Sequence, residues 1–193
     1  MKVFLIGMPQ SGRTTVGQAL NLPGFKYLHL SSFLNTNNHN SADDYHSSVL
    51  DLMKSHPDRF INEYKLHTHD FINNFIVEGL VSPKDFTSLF NYNEDVVVFL
   101  NRMDHNPDTR DYQNIAIAIM RDYCFWLSAA NLLPKSRWLE FNFKTPGGYD
   151  PYIKTMGYKN SVYSVKSLNS VIVNLRKLLT DILEMREPSP ENM

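Results

Sequence analysis

Gly7-Met8-Pro9-Gln10-Ser11-Gly12-Arg13-Thr14 decides how this chain is read. The stretch fits the phosphate-loop pattern G-x-x-x-x-G-K-[ST] at every required position but one, where Arg13 stands in place of lysine. Its surroundings fit as well. Lys2-Val3-Phe4-Leu5-Ile6 before it is an apolar run with strand character, and Thr15-Val16-Gly17-Gln18-Ala19-Leu20 after it is compatible with a helix. Strand, glycine loop and helix in that order aim successive backbone N–H groups and the positive end of a helix dipole at one point, where an anion would sit. The reading assigns Gly7, Pro9, Gln10, Ser11, Gly12, Arg13, Thr14 and Thr15 to phosphate binding. Arg13 would reach the outer phosphates of ATP, and Thr14 would offer its hydroxyl to Mg2+. The plainer alternative is a turn followed by a helix cap, which the same residue types favour. Arginine is a bulkier planar fork than lysine but still neutralises phosphate bidentately, so the exchange bears on turnover more than on binding.

Working outward, Phe25-Lys26-Tyr27-Leu28-His29-Leu30 reads as a second strand, and Phe75-Ile76-Val77 as a short buried one ending in Glu78-Gly79. Val96-Val97-Val98-Phe99-Leu100 has the unbroken β-branched and apolar character of a central parallel strand. Trp138 to Phe143 and Val162 to Val165 supply two more strands. Helical spacing is expected over Asp43–Ser55, from Pro57 toward Phe71, and from Ser82-Pro83, a cap followed by proline at the first helical position. Tyr112 to Leu133 is a long helical stretch with Ile115, Ile119, Tyr123, Trp126 and Ala130 on its apolar stripe. A last helix runs from about Leu168 to Met185, with Val171, Leu175, Leu178, Leu179, Ile182 and Leu183 inward. Strands alternating with helices give an α/β fold, a three-layer parallel sheet with helices on both faces. One domain over 1–187 is expected, with a helical lid or insert at about 101–135 and a disordered tail over 188–193.

The 193 residues, 42% hydrophobic and 20% charged, suit one globular domain. Cys124 is the single cysteine, which excludes an internal disulfide and suits a reducing compartment. No run approaches the roughly 20 apolar residues of a membrane span, and the chain opens directly on a strand rather than a signal peptide. A soluble cytoplasmic protein is expected, in the host cytoplasm if viral, with no membrane partner and a homodimer left open. Net charge is only -1, but it is unevenly spread. Residues 135–177 carry eight basic side chains against Glu140 and Asp150, interleaved with Trp138, Phe141, Phe143, Tyr149, Tyr152, Tyr158 and Tyr163. Such interleaving suits a nucleotide or nucleic acid strand. A solvated lysine face over core aromatics would look the same.

In a parallel sheet the ligand sits beyond the C-terminal strand ends, so the residues there are the candidates. Glu78 could hold a metal-bound water or accept a proton from a hydroxyl nucleophile. Arg102 could face phosphate, with Arg110, Arg121 and Arg137 as further lid arginines. Asp43 and Asp44 could supply a general base or grip a sugar hydroxyl, or simply complement a helix dipole. His67 and His69 are two apart on an expected helix and point different ways, so no structural metal is assigned.

The chain resembles the nucleotide-kinase-like branch of P-loop phosphotransferases, related to thymidylate kinases. The likeness rests on Gly7 to Thr15, Leu30-Ser31-Ser32-Phe33-Leu34, Ile76-Val77-Glu78-Gly79-Leu80, Val96 to Arg102 and Val162 to Ser167 with its helix. Within that branch, Asp122 to Leu127 and Leu132 to Trp138 resemble the phage kinases that phosphorylate 5-hydroxymethyluracil in DNA. The resemblance implies an ATP- and Mg2+-dependent kinase whose acceptor is a nucleotide or a modified base in DNA. Arg13 departs from the usual lysine of both groups. Rival readings are a deoxynucleoside monophosphate kinase, a nucleotide-binding regulator without chemistry, and a kinase of a small alcohol.

Overall fold

The computed structural model describes residues 1–8, 10–20, 22–29, 74–80, 82–102, 111–143, 161–165 and 167–184. Over these, six strands form one parallel sheet in the order β2-β3-β1-β4-β5-β6. The strands are β1 (Lys2–Gly7), β2 (Phe25–His29), β3 (Asn74–Glu78), β4 (Val96–Arg102), β5 (Trp138–Phe143) and β6 (Ser161–Val165). Four described helices are numbered here α1 (Arg13–Leu20), α2 (Pro83–Leu89), α3 (Asp111–Ala129) and α4 (Leu168–Glu184). The two helices expected between Asp43 and Phe71 lie outside the described residues.

Strand β1 lies between β3 and β4, hydrogen-bonded to both. Its residues Val3 to Ile6 are buried on both faces, which is why the run is apolar without alternation. Phe4 and Ile6 join a core with Val77, Phe99 and Trp138 under α2 and α3. Val3 and Leu5 join a second core with Val98, Leu139 and Phe141 under α1 and α4. Two apolar layers therefore sandwich the sheet. Helix α4 follows its expected stripe, burying Val171, Leu175, Leu179 and Ile182.

Helix α3 is rotated from the expected phase. Ala116, Met120, Cys124 and Leu127 face the sheet, while Ile115, Ile119 and Trp126 are exposed. Both stripes have helical spacing, so periodicity alone did not choose between them. Polar contacts do. Arg121 Nε donates to Glu140 Oε1 at 3.0 Å, and Arg121 Nη2 to Asn101 Oδ1 at 2.9 Å. Asn101 Nδ2 in turn donates to Asn142 Oδ1 at 2.8 Å. Turning α3 to bury Trp126 would pull Arg121 off a carboxylate that is almost fully buried, at the cost of an unpaired charge.

The amino-terminal edge of the sheet is pinned by Asp95, 1% exposed. It accepts from Lys2 N at 2.8 Å and Asn91 N at 2.9 Å. Asp95→Ala would leave both N–H groups without this acceptor. Urea unfolding should show a loss of about 2–4 kcal/mol.

Candidate functional site

Between β1 and α1 the backbone turns inside a tight space. A Cβ on Gly7 would lie 2.5 Å from Ser11 Oγ and 2.6 Å from the Leu100 carbonyl oxygen, so only glycine fits. The turn closes through Ser11 N to Met8 O at 3.1 Å, with Gln10 at φ 62° and Gly12 at φ 79°. Helix α1 starts with Val16 N donating to Gly12 O at 2.9 Å. The earlier N–H groups of the helix have no acceptor one turn back and are directed beyond its end. Ser11 Oγ is buried and has no hydrogen-bond partner among the described residues. A buried hydroxyl in that condition is costly unless a ligand or water completes it.

The loop opens on a cleft of about 500 Å3 at the carboxyl ends of the strands. Gln10, Ser11, Gly12, Arg13, Thr14 and Thr15 line one side, with Glu78 and Arg102 reaching it from the neighbouring strands. Phe143 and the Ser167-Leu168-Asn169 turn into α4 close the rest. Ser167 caps that helix, accepting from Ser170 N at 3.3 Å. Leu168 sits against the loop: a Cβ on Gly12 would come within 2.8 Å of Leu168 Cδ1.

Glu78 is the last residue of β3 and is 2% exposed. Its Oε1 accepts from Thr14 Oγ1 at 2.7 Å, and its Oε2 accepts from the Tyr27 hydroxyl. His29 Nε2 lies 3.7 Å from Oε1. Burial lowers the His29 pKa; Glu78 opposes that shift and Arg13 adds to it. Burial, reinforced by Glu78, pushes the Tyr27 phenol up, so it stays protonated and donates. The Tyr27 ring lies on Gly17 of α1, where a Cβ would come within 2.4 Å of Cε2. On the other side of the loop, Arg102 Nη1 donates to Gln10 O at 3.3 Å.

The structure thus brings together Gly7, Gln10, Ser11, Gly12, Arg13, Thr14, Thr15, Glu78 and Arg102. Pro9, Asp43, Asp44, Arg110, His67 and His69 lie outside the described residues. Arg121 is held by Glu140 and Asn101 on the opposite face of the sheet. Arg137 donates to Asn93 O just before β5, at the end of the sheet away from the cleft. Phe143 was read from the sequence only as one of the aromatics of 135–177, and Tyr27, His29, Leu168 and Asn169 were not read as site residues. For Tyr27 and His29 a signal existed: they alternate on one face of β2. For Leu168 none did, because its meeting with Gly12 is purely tertiary.

No protein-family model matches the chain, and no curated protein matches it either. Among solved structures, it is similar to the thymidylate kinase from Ehrlichia chaffeensis, at 12% identity and a TM-score of 0.47 over 93% of this chain and 98% of that one. It is also similar to the APS kinase from Mycobacterium tuberculosis, at 13% identity and a TM-score of 0.35 over 93% of this chain and 96% of that one.

Two glycines separate backbone strain from crowding. Gly12 and Gly24 have nearly the same φ, 79° and 76°, but a Cβ at Gly24 would meet nothing within 4 Å. Gly24→Ala should therefore cost only the left-handed backbone penalty, about 1–2 kcal/mol. Gly12→Ala should cost clearly more in the same urea titration, because Leu168 must also move.

Proposed function

We propose that this chain is an ATP- and Mg2+-dependent P-loop phosphotransferase acting on a nucleotide-type acceptor. The observation that carries the reading is the pairing of the amide-lined loop with the Thr14–Glu78 hydrogen bond at the carboxyl edge of a parallel sheet. The residues fit the implied groups on independent grounds. A buried Ser11 hydroxyl without a partner among the described residues, in a loop that lines the cleft at a helix N-terminus, suits a phosphate. The threonine hydroxyl, an oxygen donor, suits a hard cation.

In this reading the loop amides and Arg13 hold the donor phosphates. Thr14 commits its proton to Glu78, which leaves its oxygen lone pairs for Mg2+. When bound, Mg2+ would neutralise charge on the phosphate oxygens. Glu78 has both oxygens occupied by Thr14 and Tyr27, which favours a holding role over that of proton acceptor. Arg102 would stabilise charge on the transferring group as the acceptor oxygen attacks phosphorus and the bond to the leaving diphosphate breaks. Asp43 or Asp44 is the proposed partner of the acceptor hydroxyl.

The finer acceptor is the hydroxymethyl group of 5-hydroxymethyluracil in DNA, and its support is the basic, aromatic segment 135–177. The described part of that segment lends it little. Trp138 and Phe141 are core residues, only Phe143 of the β5 aromatics, at the strand's end, reaches the cleft, and Arg176 donates to the Ala19 and Leu20 carbonyls at the far end of α1. A deoxynucleoside monophosphate asks less of those residues.

Transfer from labelled ATP should be measured on deoxynucleoside monophosphates, hydroxymethyluracil DNA and simple sugars. Phosphorylation of a nucleotide or of the DNA supports the proposal, and labelling of sugars alone replaces it with a small-alcohol kinase. No transfer to any acceptor leaves the regulator. Arg13→Ala should lower turnover by about a hundredfold or more with circular dichroism unchanged.

A further inference from the structure

Tyr27 belongs to β2, two strands away from β1, yet its hydroxyl reaches the carboxylate that receives Thr14. Two close contacts hold it there. Its ring is laid over Gly17 of α1, with no room for a side chain between them, and its hydroxyl meets Glu78 Oε2. We propose that Tyr27 is a positioning residue that sets the metal-holding hydroxyl of Thr14 by fixing the rotation of Glu78. The proposal rests on the function given above and deepens it.

The argument follows from the hydrogen-bonding capacity of each group. A carboxylate only accepts, and a threonine hydroxyl has one proton and two lone pairs. If Oε1 takes the Thr14 proton, the Thr14 lone pairs turn away from Glu78. That orientation lasts only while Oε1 stays where it is. Rotation about the Glu78 carboxyl is resisted on the other oxygen by Tyr27, whose hydroxyl donates to it. Without that phenol, Glu78 is free to turn toward His29, 3.7 Å from Oε1, or toward the cation itself. Either movement lets the Thr14 hydroxyl rotate. Groups that orient a metal ligand in this way commonly change metal affinity by about 10- to 100-fold when removed.

The test is calorimetric titration of ATP into the full chain, with and without Mg2+, for wild type and Tyr27→Phe. Phenylalanine keeps the ring on Gly17 and removes only the hydroxyl. The expected result is a loss of about tenfold or more in the tightening of ATP by Mg2+, with metal-free ATP affinity unchanged. Gly17→Ala, which displaces the ring, should reproduce that loss and serves as a second variant if the first is poorly folded. A wild-type Mg2+ effect in the variants overturns the proposal, as does an equal loss with and without the metal. A wild-type chain that binds no ATP under either condition overturns the phosphotransferase reading and this inference with it. Normal wild-type binding beside an unchanged Tyr27→Phe overturns the inference alone.

Discussion

The central position of β1 is the constraint from which the site follows. A strand paired on both edges and covered on both faces favours apolar side chains, and β1 is apolar from Val3 to Ile6. The chain must then leave the sheet where β4 and the loop's own Ser11 crowd it. At Gly7 that space excludes even a Cβ. Register does the rest. Leu5 is opposite Glu78 on one side, and Gly7 is opposite Leu100 on the other, two residues before Arg102. A carboxylate and a guanidinium thus arrive on either side of the loop through strand pairing, without any dedicated element to carry them. The loop itself sits where neighbouring connections depart in opposite directions, the place where open α/β sheets bind ligands.

The two faces of the sheet divide the polar work. Toward α1 and α4, Thr14, Glu78 and Arg102 border the cleft, with Tyr27 behind Glu78. Toward α2 and α3, Asn101, Arg121, Glu140 and Asn142 bond to one another and close the end of the core. Adjacent residues of β4 belong to different systems, Asn101 to the closed network and Arg102 to the open cleft, because successive strand side chains point to opposite faces. Arg121 also lies 5.0 Å over the Phe99 ring, a stacking arrangement that suits a guanidinium better than an ammonium. Its donors are spent holding α3 against the sheet, which removes it from the set of cationic residues facing the cleft.

The sheet was legible because its strands are short apolar runs separated by turn chemistry, and Trp138–Phe143 matches the expected strand residue for residue. The strand, turn and helix around Gly7 to Thr14 were legible because Gly12 answers a local demand, a positive φ, while the contacts that crowd Gly7 and Gly12 from Leu100 and Leu168 are tertiary. The phase of α3 was not, since Ile115, Ile119 and Trp126 read as well as the Ala116, Met120, Cys124 and Leu127 set that is buried. Only a contact with Glu140 on a strand formed later in the chain distinguishes them. The basic and aromatic content of 135–177 misleads for a related reason. Composition does not tell which end of a strand a residue occupies, and Lys135 and Arg137 precede β5 while Phe143 ends it. Tyr27 escaped notice because an aromatic at an alternating strand position is usually core.

The arginine at position 13 fits this arrangement for an electrostatic reason. The charged residues among those lining the cleft are Arg13, Arg102 and Glu78. Glu78 is almost fully buried, and its two oxygens are engaged by hydroxyls from α1 and β2. Two of these three charged residues are guanidiniums. Lysine and arginine carry the same charge, so the attraction for a polyanion at this point is much the same with either. What differs is shape: a compact ammonium follows a moving phosphate, whereas a planar fork prefers a fixed pair of oxygens. Under the proposed function the consequence would fall on placement of the transferring group, to which rate is far more sensitive than affinity.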